Sequence, residues 1–188
     1  MAQRKVDERR VSEHEPGEHK ADAPVRIVAY DPAWPERFER ERSALATAIG
    51  DWSLGGIHHV GATAVPGLAA KPIIDILVGV PSLEGARECF DRLARLDYRY
   101  APYRTSEMHW FCKPHPSRRT HHLHLVPVDS PRFRDELVFR DYLRVRRDVA
   151  DEYGALKHRL GARFDHDREA YTAGKAEFIR AALVRAAD

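Results

Sequence analysis

Read by the alternation of apolar and polar positions, the chain changes character twice. Residues 1–24 are charged, nearly balanced in sign and poor in large apolar groups. Such a segment buries too little surface to offset the entropy of ordering, so it is expected to be a flexible arm, leaving 25–188 as one domain. "VRIVAYDP" (25–32) has the pattern of a short strand ending in an Asp-Pro turn. Pro35 suits the first turn of a helix, and Phe38, Leu45 and Ile49 then fall on one face of a helix running to about 49. "SLGGIHHVG" predicts a strand entering a glycine turn, and "PIIDILVGV" a strand between Pro72 and Pro81. Ser82 is placed to cap a helix whose buried side carries Leu83, Ala86, Phe90 and Leu93. "YRYAPYR" and "MHWFCKP" read as a strand pair around a short turn, and "THHLHLVPV" as a further strand.

From Pro131 the period becomes helical. Val138, Tyr142, Val145, Val149, Tyr153, Leu156, Leu160 and Phe164 recur at steps of three and four. A last helix is expected over 168–186, with Tyr171, Phe178, Ala182 and Val184 near its buried side. Strands dominate first and helices last, which predicts an α+β or α/β domain.

Composition adds limits rather than direction. The 188 residues are 43% hydrophobic and 32% charged, which suits a soluble globular domain. A net charge of +2 exerts no strong pull towards nucleic acid or membrane, and no basic patch interleaved with aromatics is visible, although charge by itself does not exclude RNA. Cys89 and Cys112 lack the spacing of a disulfide scaffold or a cysteine zinc site, so the cytoplasm is the expected compartment. The apolar runs are too short for a membrane span, and residues 1–24 lack the apolar core of a signal peptide.

The chemistry gathers around Asp75. On the strand "PIIDILVGV" one face carries Ile74, Ile76 and Val78, and the other carries Ile73, Asp75 and Leu77. A buried carboxylate costs several kcal/mol unless compensated, so Asp75 is expected at a cleft, a cation or a base. The competing reading is a pairing with one arginine that sets strand register. Ahead of the strand, Gly61 permits close approach of the backbone, Ala62 is small, Thr63 brings a hydroxyl, and Lys71 lies four residues before Asp75. A glycine turn, a hydroxyl, a cation and a strand carboxylate suit a nucleotide with its metal: loop and lysine on phosphate oxygens, Asp75 on a divalent ion such as Mg²⁺ or Mn²⁺. The spacing is neither that of a Walker loop nor of a dinucleotide fingerprint.

"HVGATAVPGLAAKPIIDI" resembles the signature of the GrpB-like (UPF0157) family, and the resemblance continues at "THHLHLV", "FRDYLR", "EYGALK" and "YTAGKAEFI", covering about 25–182. The resemblance implies the nucleotidyltransferase superfamily, with a polymerase-beta-like mixed sheet flanked by helices and a helical C-terminal part. It also implies a link to coenzyme A biosynthesis, since members occur fused to dephospho-CoA kinases. Gly61 matches the superfamily glycine, Ala62 stands where a serine is usual, and His59 is the family-matching histidine of the His58–His59 pair. Asp75 matches the first metal-binding acid, so the resemblance marks it as catalytic. Leu77 stands where active members have the second acid, and two-metal phosphoryl transfer depends on such a pair.

His122 and His124 share one face of their strand. The superfamily fold places a later strand beside that of Asp75, so an Asp75–His122–His124 metal set is one expectation. Such a set suits Mn²⁺, Fe²⁺ or Zn²⁺ better than Mg²⁺. Hydrogen bonding of the histidines within the cleft is the other. Arg119, with Arg118, lies just before this strand as a candidate phosphate clamp or a solvated turn. Lys175 shares a helix face with Tyr171 and Phe178, where a lysine either snorkels or reaches a polar cleft, and the resemblance at "YTAGKAEFI" implies the cleft. Arg140 and Lys157 are expected on salt-bridged helix surfaces. Three functions remain open: metal-dependent nucleotidyl transfer to a small acceptor, a binding module for a nucleotide or CoA-like ligand, and a hydrolase built on His122 and His124.

Overall fold

The computed structural model describes residues 24–187, so the arm expected over residues 1–24 lies outside the described residues save for Pro24. Helix α1 (Trp34–Ile49) starts with Pro35 in its first turn and buries Trp34, Phe38, Leu45 and Ile49. Asp31 prepares the entry: its side chain accepts the Ala33 N–H at 2.9 Å and pairs with Arg37 at 3.0 Å. "VRIVAYDP" forms no strand. It makes one isolated bridge, Val28 to Ala70, because the chain turns away into α1 before a ladder can extend.

Five strands form one mixed sheet in the order β1-β2-β5-β4-β3: β1 (Ile57–Val60), β2 (Ile74–Val80), β3 (Arg99–Tyr100), β4 (His109–His115) and β5 (Arg118–Pro127). β2 runs antiparallel to β1 and parallel to β5, and the remaining pairs are antiparallel. Ile74, Ile76, Val78 and Val80 point into the main core with α1, each fully buried side chain contributing about 1.5–3 kcal/mol. The opposite face of β2 carries Leu77, packed with Val60, Met108 and Val126 under Phe133 and Leu137.

The Ser82 cap forms as expected, its side chain accepting from Gly85 N–H. The helix after it breaks into α2 (Leu83–Ala86), a 3₁₀ turn and α3 (Phe90–Ala94). The long helical pattern from Pro131 is likewise divided, into α4 (Pro131–Val145) and α5 (Arg147–Arg163), because Arg146 leaves the helical region at φ −107°, ψ 85°. α4 lays Phe133 and Leu137 on the sheet, whereas α5 packs Val149, Ala150 and Tyr153 against Val65 and Leu68. α4 also reaches the second cluster through Leu143, and Val145 at the junction is 77% exposed. The last helix is also two: α6 (Arg168–Ala173) and α7 (Ala176–Ala187). At the break, a Cβ on Gly174 would lie 2.6 Å from a Leu160 methyl. The turn rotates α7, so Ala182 is buried and Val184 is exposed rather than buried. The architecture is α+β: a mixed sheet, helices on its faces, and a helical C-terminal layer.

Candidate functional site

The end of β1 sets the geometry. Val60 is paired with Asp75, so the chain leaves β1 directly over that carboxylate. Gly61 makes the passage at φ 69°, ψ −172°, and a Cβ there would lie 2.4 Å from Asp75 Oδ2. This backbone region is essentially reserved for glycine. A 3₁₀ turn over 62–64 follows, and Thr63 ties the loop to the strand it precedes by donating its hydroxyl to Ile73 O at 3.2 Å. With that proton committed, Thr63 Oγ1 accepts from His59 Nε2 at 3.0 Å, which places the His59 proton on Nε2. Three arginines hold the loop from behind: Arg140 on His59 O, Arg144 on Ala64 O and Arg147 on Pro66 O.

His59 lies on the α1 side of the sheet, stacked on Phe38 at 4.7 Å between ring centres. Burial lowers its pKa to about 4, and Arg144 and Arg140 act in the same direction against the pull of Asp75. It lines a separate cavity of about 550 Å³ with Tyr30, Phe38 and Arg144. Gly61, Ala62, Thr63 and Lys71 instead line the Asp75 cleft, about 1120 Å³ in volume. That cleft lies between the sheet and helices α4 to α7.

Parallel pairing of β2 with β5 puts Asp75 opposite His122 and Leu77 opposite His124. His122 Nδ1 is 2.9 Å from Asp75 Oδ1. Burial works to raise the Asp75 carboxyl, but the His122 hydrogen bond, with the charges of His122, His124 and Lys71, outweighs it and holds the group at about 2. Burial lowers the pKa of His122, so at neutral pH its Nδ1–H donates to an ionised Asp75. Its Nε2 is buried and has no hydrogen-bond partner among the described residues. Neither an arginine partner nor an isolated acid describes Asp75; its partner is an imidazole.

Asp75, His122 and His124 offer ligand atoms within 4.8 Å of one another. One carboxylate and two imidazoles form a donor set for a divalent transition metal, and the unpaired Nε2 of His122 has the chemistry of such a ligand. The second layer was not legible in the sequence. His124 Nδ1 is 3.3 Å from Glu136 Oε2, and Glu136 pairs with Arg132 at 3.0 Å. Burial pushes Glu136 up, but His124 and Arg132 outweigh it and lower its pKa. A carboxylate behind a ligating histidine fixes the ring and raises its basicity. Glu136 comes from α4 and meets His124 only through the packing of that helix on the sheet, so no motif marks it.

Cations also line the cleft. Lys71 and Lys175 place their ammonium groups 5.1 and 4.5 Å from the centre of the Tyr171 ring. Arg119 donates to Pro116 O at 2.7 Å and lies over Trp110, at the edge of the same cleft. Lys157 is not on a salt-bridged surface: it is 2% exposed, donates to Ala69 O and faces the Tyr153 ring. It falls on the buried stripe of α5, four residues after Tyr153, and the docking of α5 on the 65–70 segment covers it. Arg140 does pair with a carboxylate, Asp141, at 2.8 Å.

Comparison with known proteins gives a consistent result. Residues 24–185 match the family described as "GrpB protein". The chain is 41% identical over 170 residues to UPF0157 protein PA4798 of Pseudomonas aeruginosa, covering 88% of this chain and 69% of that one. It is 33% identical over 193 residues to a protein of Mycolicibacterium paratuberculosis named dephospho-CoA kinase, covering 89% of this chain and 47% of that one. A crystal structure of GrpB from Enterococcus faecalis superposes with a TM-score of 0.77 at 35% identity, over 86% of this chain and 96% of that chain.

Proposed function

This chain belongs to the GrpB protein family, and from that premise we propose that its cleft binds a nucleotide or another phosphorylated small molecule together with one divalent cation. The observation that carries the reading is the meeting of two kinds of group in one cleft. Asp75, His122 and His124 form a compact donor set, and Lys71 and Lys175 line the same cleft. Asp75 and the two histidines would hold the ion, for which Mn²⁺ fits the mixed donor set better than Mg²⁺. When bound, such an ion polarises a phosphoryl oxygen. The residues of the chain then divide the work: Gly61 brings backbone against the carboxylate, His122 keeps Asp75 ionised, Glu136 orients His124, and the lysines meet phosphate charge. Thr63 contributes by holding the loop shape, since its hydroxyl is committed to Ile73.

Nucleotidyl transfer to a small acceptor is one form of this function, with Asp75 as the catalytic acid of the metal site. Binding without turnover is the form the cleft favours. Leu77 occupies the second-acid position and is wholly buried with Val60, Met108 and Val126. Glu136, the nearby carboxylate, is already engaged by His124 and Arg132. The relative named dephospho-CoA kinase makes CoA-like metabolites sensible first ligands, and a place beside coenzyme A synthesis in the cytoplasm fits this reading.

The test is a thermal-shift panel of nucleotides and CoA precursors with and without Mn²⁺, followed by incubation with radiolabelled nucleoside triphosphates. A bound ligand raises the melting temperature by mass action. Asp75→Asn is expected to abolish the Mn²⁺-dependent part of the shift. Label transfer or pyrophosphate release by the wild type, lost in Asp75→Asn, would establish the transferase form. No shift with any member of the panel would sink the reading.

A further inference from the structure

The lysine wall carries more than a share of a metal-bound ligand. Three ammonium groups reach it from separate elements: Lys71 from the loop before β2, Lys157 from α5, and Lys175 from the turn between α6 and α7. Their surroundings are aromatic. Lys71 and Lys175 meet the same Tyr171 ring, and Lys157 lies 4.8 Å from the centre of Tyr153. Lys157 is almost wholly buried and Lys175 is half-buried. Asp75 is the acid that acts on both, and it is already hydrogen-bonded to His122. Like charges gathered in a partly desolvated wall repel, and an oxyanion placed among them relieves that repulsion.

We propose that Lys157 and Lys175, with Lys71, form an anion subsite of their own that grips a tetrahedral oxyanion, such as a terminal phosphate, directly and without a metal. This deepens the reading of the cleft as a phosphate-ligand site, and it assigns the ligand two separate contacts: one at the Asp75 metal set and one at the lysines. The class that fits is a molecule whose phosphate lies apart from its metal-bound group.

The charge state of the wall agrees. Burial, with Lys175 adding to it, lowers Lys157 to about 7, against a smaller opposing pull from Asp75. Burial, with Lys71, lowers Lys175 to about 8, again against Asp75. The empty wall therefore sheds protons near neutral pH, and a bound oxyanion restores them. Tyr153 and Tyr171 present rings, and burial pushes their hydroxyls up, so they stay uncharged.

Inorganic sulfate is the probe, because its charge is constant through the neutral range. Its binding to the full chain is measured by calorimetry in excess chelator at about pH 6.5 and about pH 9. Wild type is expected to bind more weakly at the higher pH, by at least about tenfold. Lys175→Gln is expected to lose binding at the lower pH. Lys175→Arg, which keeps its charge, is expected to bind with a flatter pH profile. Each variant is compared at matched far-ultraviolet dichroism, and if the glutamine variant does not fold, the arginine variant carries the test. Sulfate binding unchanged by Lys175→Gln, or equally strong at both pH values in wild type and Lys175→Arg, would overturn the proposal. Sulfate binding that depends on the lysines while no nucleotide or Mn²⁺ binds would remove the metal-ligand reading and leave this subsite standing.

Discussion

Gly61 and Asp75 are a single unit of chemistry, because the glycine supplies the space that the carboxylate fills. A methyl group on Gly61 would lie 2.4 Å from Asp75 Oδ2, with the backbone held at φ 69°. Gly61→Ala is therefore expected to cost about 1–3 kcal/mol of backbone strain and to displace the carboxylate from His122. Urea unfolding and Mn²⁺ titration read the two effects. An alanine variant of unchanged stability and unchanged Mn²⁺ affinity would show that the approach is not a constraint. The glycine and the acid were both legible in the sequence, since each breaks the local pattern: a turn residue at the end of an apolar strand, and a charge within another. Glu136 was not, because a glutamate on an amphipathic helix breaks no pattern, and although Lys157 falls on the apolar stripe with Tyr153, nothing local says what it meets. Their roles arise from what packs against them.

At the level of elements, β5 and α4 together convert a strand with an acid into a site. β5 brings His122 and His124 into register with Asp75 and Leu77. α4 is held at its start by Ser130, which accepts the Phe133 N–H at 3.2 Å and donates to Pro127 O at 2.6 Å. It then delivers Glu136 to His124, Arg140 to the His59 carbonyl in β1 and Arg144 to the Ala64 carbonyl in the loop. Those carbonyl contacts hold the 61–67 segment in one shape. Arg144→Ala removes a charged donor from Ala64 O, and partial solvent exposure reduces the cost to about 1 kcal/mol. Amide exchange is expected to speed up across 61–67 and to stay unchanged in β4. Equal protection of the loop in both proteins would mean that the arginine does not restrain it. The strands of the sheet were readable from period-two alternation, and the capped start of α2 from Ser82. The breaks at Arg146 and Gly174 were not, because the helical period runs through both. They are set by the surfaces that the two halves must cover.

For the whole molecule, burial of lysines beside an acid ties stability to pH. Lys157 has a pKa of about 7 in the fold against 10.5 when unperturbed. Between these values the unfolded chain binds more protons than the folded one, so stability rises with pH across this range and is lowest below it. Lys157→Met is expected to be more stable than wild type at about pH 6, with the gap narrowing by about pH 9. Urea denaturation of both proteins at the two values checks this; a constant gap would contradict the burial of a charged group. Asp75 acts at the other end: its depressed pKa contributes stability above about 4, lost as pH falls towards about 2. The sequence by itself determined strands first and helices last, the glycine turn, the strand acid and the candidate histidines. Each of these depends on local period, backbone geometry or residue type. Only the tertiary structure decided that His59 faces the α1 side, that Glu136 backs His124, and that three lysines line one cleft with Asp75. Those relations join residues a dozen or more positions apart, and their energies depend on desolvation, which exists only once the helices close over the sheet.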